Sequence, residues 1–181
     1  MHKLKYILVL IVIIASSCSS LRFDRYAGKA LETFPEEYRG KYINTDISLN
    51  DTDTLILYIS SNSYSLIDNK QTNIDFLDDK HVFSVYKKQH YIFINENDYW
   101  SGFAVNKKEN KISMVPLTGP LKNDTIRDAK ILKRYFQEVQ VIKGVNNLEK
   151  ASYAVKMNED KLLKYTKRIK KHKVVFTQVQ E

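Results

Sequence analysis

HVFSVYKKQHYIFI, residues 81–94, is a pair of apolar runs joined by a polar break. In the first run His81, Phe83 and Val85 alternate with Val82, Ser84 and Tyr86. In the second, Tyr91 and Phe93 alternate with Ile92 and Ile94. β-Branched and aromatic residues at period two, interrupted by Lys87 to Gln89, predict a β-hairpin. Neither face of either run is cleanly polar. A sheet with one face in water shows a polar face, so these strands are expected to be covered on both sides.

The same texture extends in both directions. KYINTDI (41–47), TLILYIS (54–60), YSLID (64–68), WSGFAV (100–105) and KISMVPL (111–117) are apolar runs separated by clusters of Asn, Asp and Ser. Runs spaced about 8–12 residues apart predict an antiparallel meander of sandwich or barrel type. After Pro116 and Pro120 the period changes. Ile126, Ala129, Leu132, Phe136 and Val139 fall at helical spacing, behind Asn123, Asp124 and Thr125 as caps. YAVKM (153–157) reads as a strand, Asn158 or Asp160 starts a helix through Lys171, and VVFTQVQ (174–180) reads as a strand. The expected fold class is α+β: the meander, then a helix-strand-helix-strand tail. Gly40-Lys41-Tyr42, at the first strand, is similar to the Gly-x-Trp of lipocalin-like domains, with Tyr in place of Trp. That resemblance implies a barrel around an apolar cavity.

The chain starts differently. His2, Lys3 and Lys5 precede an unbroken apolar run from Tyr6 to Ile14, then Ala15, Ser16, Ser17 and Cys18. A basic start, a short apolar run and a small-residue zone form a secretory signal. A membrane-spanning helix needs about 20 apolar residues, and this run is shorter. The stretch Ile14 to Cys18 resembles the lipobox of bacterial lipoproteins. The resemblance implies cleavage before Cys18, a diacylglyceryl group on its thiol, and, with Ser19 rather than Asp following, residence at the outer membrane. Residues 1–17 are then a signal peptide, 18–33 a lipid-anchored tether with a short helix over 26–33, and 34–181 a single β-rich domain.

Charge and composition narrow the possibilities. Cys18 is the only cysteine in 181 residues, so a lipidated chain has no disulfide and depends on packing. The formal net charge is +8. Removing Lys3 and Lys5 with the signal leaves +6, and the seven Lys or Arg of residues 161–173 exceed that, so the remainder carries −1. The mature chain is a near-neutral body with one basic segment. Twelve Tyr and eight Phe argue against disorder.

Catalytic patterns do not emerge. Nucleophilic chemistry needs a nucleophile with a base, and the sequence has no G-x-S-x-G, no S-x-x-K and no second thiol. Asp78, Asp79 and His81 are too few for a zinc site. NDTD (50–53) and NEND (95–98) lack the glycine and closing glutamate of a calcium loop. His81 and His90 read as strand-end histidines. No enzyme activity, metal or cofactor is expected.

Two groups are candidate binding residues. Tyr99, Trp100 and Phe103 could line an apolar ligand site or fill a core. In KLLKYTKRIKKHK (161–173), Leu162, Tyr165, Thr166 and Ile169 form one helical stripe. Lys161, Lys164, Lys167, Arg168, Lys170 and Lys171 are the charged remainder. A basic amphipathic helix suits an anionic membrane or an acidic protein; nucleic acid is not an expected partner outside the cytoplasm. The expected function is therefore a non-enzymatic binding or structural lipoprotein of the envelope, held in the membrane by lipid on Cys18. The alternative is a lipocalin-like carrier of a small apolar ligand.

Overall fold

The computed structural model describes residues 21–44, 55–68, 71–96, 98–119, 125–142 and 152–179. The signal, Cys18, the caps Asn123 and Asp124, and NDTD lie outside the described residues.

The chain is mostly antiparallel β and curls into a barrel-like form. Its first strands are β1 (Leu21–Phe23), β2 (Lys29–Leu31), β3 (Gly40–Asn44), β4 (Leu55–Ile59), β5 (Ser63–Asp68) and β6 (Gln71–Phe76). Next come β7 (His81–Tyr86), β8 (Gln89–Glu96), β9 (Tyr99–Lys108) and β10 (Lys111–Pro116). Then follow α1 (Thr125–Leu132), β11 (Val139–Ile142), β12 (Ser152–Val155), α2 (Glu159–Ile169) and β13 (Val174–Gln178).

One path of the sheet runs β11-β12-β1-β9-β10-β13-β3-β4-β5-β6, and a branch runs β9-β8-β7-β2. β9 can hold three neighbours because it is long. β8 pairs along one edge, while the other edge carries β10 at residues 103–108 and β1 at Trp100. β1 and β12 are parallel, with Leu21 opposite Tyr153, and the other pairs are antiparallel.

The opening hairpin shows why the sheet takes this form. Phe83 pairs with Ile92, and Ser84 with Tyr91, across a two-residue turn at Lys87 and Lys88. Both turn residues have positive φ, 47° and 67°, the twist that matches a two-residue hairpin. Tyr91, Phe93 and Ala104 face a core shared with Phe23, Phe136, Tyr153, Leu162 and Tyr165. Phe83, Ile92 and Val105 face a second core with Phe34, Tyr38, Tyr42, Leu57, Ile112 and Phe176. β7, β8 and β9 are thus a wall between two cores, and both faces of the hairpin are covered. Gly102 is the close point of this wall: a Cβ there would run into the backbone carbonyl of Ile92.

Three sequence expectations need correction. The stretch 18–33 is not a tether from Leu21 onward: Leu21 and Phe23 are fully buried and hydrogen-bonded into the sheet as β1. The helix expected over 26–33 is absent, and Lys29 to Leu31 pair with Val85 to Phe83 as β2. Lastly, α1 stops at Leu132 rather than reaching Val139. The amides of Tyr135 and Phe136 both donate to the Leu132 carbonyl at 2.8 and 2.9 Å, which closes the helix. Phe136 then turns into the core, edge-on to Phe23 and Tyr165, and Val139 pairs with Val155 in β11. Among the described residues two strands, β11 and β12, separate the helices.

Candidate functional site: the basic face of α2

α2 begins where Asn158, in extended conformation, accepts from the Lys161 amide at 3.0 Å. Such a cap satisfies one of the donors that a helix start leaves free. Leu162, Tyr165, Thr166 and Ile169 are buried on the sheet. The Tyr165 hydroxyl donates to the Thr118 carbonyl at 2.7 Å, and Thr166 donates to the Leu162 carbonyl at 2.9 Å. The helix is therefore bound by one complete stripe.

Its other side is the basic face. Lys161, Lys164, Lys167, Arg168, Lys170 and Lys171 are all exposed, and none is in a salt bridge with a described residue. Arg168 lies over the Tyr135 ring, 5.9 Å from its centroid, and donates to its hydroxyl at 3.3 Å. The two acids of the helix, Glu159 and Asp160, are confined to its first turn and engaged there. Glu159 accepts from Arg25 at 3.3 Å and the Gly28 amide at 3.0 Å. Asp160 accepts from Lys87 at 2.7 Å and Tyr86 at 2.9 Å. Those bonds hold the Asp160 carboxyl below its ordinary range and the Lys87 ammonium above its own. Negative charge at the helix start and positive charge at its end both match the helix dipole.

The aromatic trio divides. Strand alternation sends Trp100 to the side of β9 that carries Gly102 and Ala104, while Tyr99 and Phe103 share the opposite side with Val105. Trp100 meets Tyr26 edge-on at 5.1 Å beside the first core. The three side chains do not line one surface.

The two histidines are also separate. His81 pairs with Ile94 at the open end of the hairpin, and its ring lies 3.3 Å from Asp78 and 3.7 Å from Asp75. His90 sits near the turn, stacked on Phe83 at 5.3 Å. Among the described residues no group of three or more His, Cys, Asp or Glu could hold a metal.

Around His90 the structure assembles a polar cluster that sequence reading missed. Its ring Nδ1 is 3.0 Å from the Tyr38 hydroxyl. Lys107, two residues along β9 from the partner of His90, donates to the Tyr42 hydroxyl at 3.1 Å and to Gln178 at 3.0 Å. Burial pushes the Tyr38 and Tyr42 hydroxyls up to about 12, and lowers both His90 and Lys107. These residues come from β3, β8, β9, β13 and the turn before β3, so no local pattern could have joined them. The signal available was only the odd Lys107 at an inward position of a strand.

No family model matches the chain, and no curated protein or solved structure is significantly similar to it. Among the described residues no helix is long and apolar enough to cross a membrane.

Proposed function

We propose that this chain is a lipid-anchored envelope lipoprotein that acts by binding rather than by catalysis, with the basic face of α2 as its contact surface for an acidic group. The observation that carries this reading is the division of α2. Its apolar stripe is used up by the body, and six exposed cations are left outside any salt bridge with a described residue. In this reading the C-terminal part of the fold, α1 to β13, is the part that displays the face. The anchor rests on the lipobox-like Ile14 to Cys18. One acyl chain binds a membrane marginally and two bind it stably, so a diacylated Cys18 suffices for retention. The cations are then free to orient the body or recruit a partner, at about 1 kcal/mol per Lys or Arg close to an anionic surface.

Two measurements test the parts. Cys18→Ala is expected to abolish palmitate labelling and leave uncut precursor; labelling that persists would remove the anchor. Every described element begins at or after Leu21, so a chain starting at Ser19 keeps them all. That chain is expected to bind anionic vesicles at low salt and not at high salt. Lys164, Lys167, Arg168 and Lys171 changed together to Gln are expected to remove the binding. Equal binding by both forms, or none by either, would leave the face as solvated surface.

A second reading, a carrier of a small apolar ligand, is favoured by the barrel-like curl and by Tyr99 and Phe103 sharing one side of β9. Against it, rings within the second core meet one another: Phe34 to Phe83 at 4.5 Å and Tyr38 to Phe83 at 5.5 Å. Saturable uptake of an apolar fluorescent probe, lost in Phe103→Asp but kept in a surface control, would move the balance to the carrier.

A further inference from the structure

The two ends of α2 meet opposite ends of β1. At its start, the Met157 amide donates to Asp24 at 2.7 Å and Glu159 holds Arg25 and the Gly28 amide, all just beyond β1. Toward its end, Tyr165 donates to Thr118, just beyond β10. Lys170 to His172 continue as a short 3-10 turn, and the chain re-enters the sheet at Val174, opposite Met114. Three residues past Met114, the Leu117 amide donates to the Gly102 carbonyl of β9 at 2.9 Å. With Phe23 opposite Trp100, the register of β1 brings Leu21 to that same point of β9. Leu21, Leu117, Tyr165 and Ile169 share one buried cluster. The first described residue and the basic end of α2 therefore flank the same segment, Leu117 and Thr118.

Chain length now limits where the lipid can be. Cys18 precedes Leu21 by three residues, and an extended chain covers at most about 3.6 Å per residue, so it lies within about 11 Å of Leu21. In the anchored reading only Ser19 and Ser20 stand between the lipid-bearing Cys18 and β1. Charges interact with a surface within a Debye length of about 8–10 Å at moderate salt. A cationic patch beside the anchor falls in that range, and one on the far side of the molecule does not. The acids nearest in sequence, Glu159 and Asp160, are at the other end of the helix and already paired.

We infer that Lys167, Arg168, Lys170, Lys171 and Lys173 form the membrane-facing pole of the molecule, and that their ligands are the anionic headgroups of the leaflet that holds the lipid of Cys18. This rests on the anchored reading above and names the partner of the same face.

The test uses the lipidated chain purified from membranes and reconstituted into phosphatidylcholine vesicles with or without phosphatidylglycerol. An environment-sensitive dye is placed at Lys171→Cys or, as the distant control, at Phe76→Cys on β6. Nitroxide lipids labelled at the headgroup act as quencher. Quenching at position 171 is expected to exceed that at 76 several-fold in phosphatidylglycerol vesicles. It is expected to fall toward the control at high salt, and when Lys167, Arg168, Lys170 and Lys173 are changed to Gln. Equal quenching at the two positions, or a signal at 171 indifferent to phosphatidylglycerol, would overturn the inference while the anchor stands. A chain that no longer floats with vesicles at high salt would overturn the anchor, and the inference with it. Capture of an acidic protein by this face in place of the headgroup contact would also overturn it.

Discussion

Two parts of the sheet carry equally apolar sequence and meet different surroundings. β7 to β9 are buried on both faces, between the helix-covered core and the core inside the curl. Among the described residues, β4 to β6 have a core on one face. Leu57, Ile59 and Tyr64 point to the inner core, and the opposite face shows Tyr58, Ile74 and Phe76, with Ile74 58% and Phe76 56% exposed. Ser65 lies between Tyr58 and Ile74 in one cross-strand row and is itself buried. The lack of a polar face thus has two meanings. On β8 it reports a second layer of structure; on β4 and β6 it reports an apolar outer surface, and among the described residues β6 pairs with β5 alone. Exposed apolar edges of this kind are the ones that soluble proteins usually protect with charge.

The strongest way to break this contrast is truncation on each side. Phe93→Ala empties a fully buried site in the wall, and a loss of about 3–5 kcal/mol is expected in urea unfolding. Phe76→Ala is expected to cost under about 0.5 kcal/mol, as exposed positions usually do. Comparable losses at the two sites would mean that the outer face of β6 is covered in solution.

Alkaline titration sharpens the same point. Burial raises the hydroxyls of Tyr38, Tyr42 and Tyr91 to about 12, from 10 in an unfolded chain. Between those values the unfolded chain gives up protons that the folded one keeps, so the stabilisation is complete below pH 10 and lost as pH rises toward 12. For Tyr91, which is fully buried, the loss is on the order of 2 kcal/mol. Absorbance at 295 nm is expected to rise in two stages, exposed tyrosines first and the buried tyrosines with unfolding. A single non-cooperative rise would contradict the burial.

Smaller effects concern what covers the wall. Asn158→Ala removes the cap of α2 and is expected to cost about 1 kcal/mol, with earlier hydrogen exchange at Leu162 and Tyr165. Ser84→Ala is expected to raise stability by up to about 1 kcal/mol. The Ser84 hydroxyl is fully buried opposite Tyr91 and has no hydrogen-bond partner among the described residues. A loss at Ser84→Ala would show that the hydroxyl has an internal partner, such as a water held under the helix.

Elements with a strong local period were readable in advance. The stripe of Leu162, Tyr165, Thr166 and Ile169 is the buried face of α2 because four side chains at helical spacing leave one choice of side. The hairpin at 81–94 was readable for the same reason, at period two. β1 and β2 were not: three residues carry no period, and Leu21 to Phe23 form a strand because β9 and, more than a hundred residues later, β12 lie alongside. Leu132 to Val139 misled because helical spacing continued where tertiary pairing of Val139 with Val155 prevailed. The basic face was visible as a charge run. Its position beside Leu21 was not, since it depends on the joint register of β1, β9 and β10.

The last strand has a consequence for how the molecule is made. β13 lies between β10 and β3, pairing with both, and joins two meanders, β3 to β6 and β7 to β10. Each meander can form hairpins as soon as its residues emerge, but the seam waits for residues 174–178. Contacts that span so much chain slow folding. A chain that emerges N-terminus first therefore holds two unfinished half-sheets, each with an open edge, until residues 174–178 arrive.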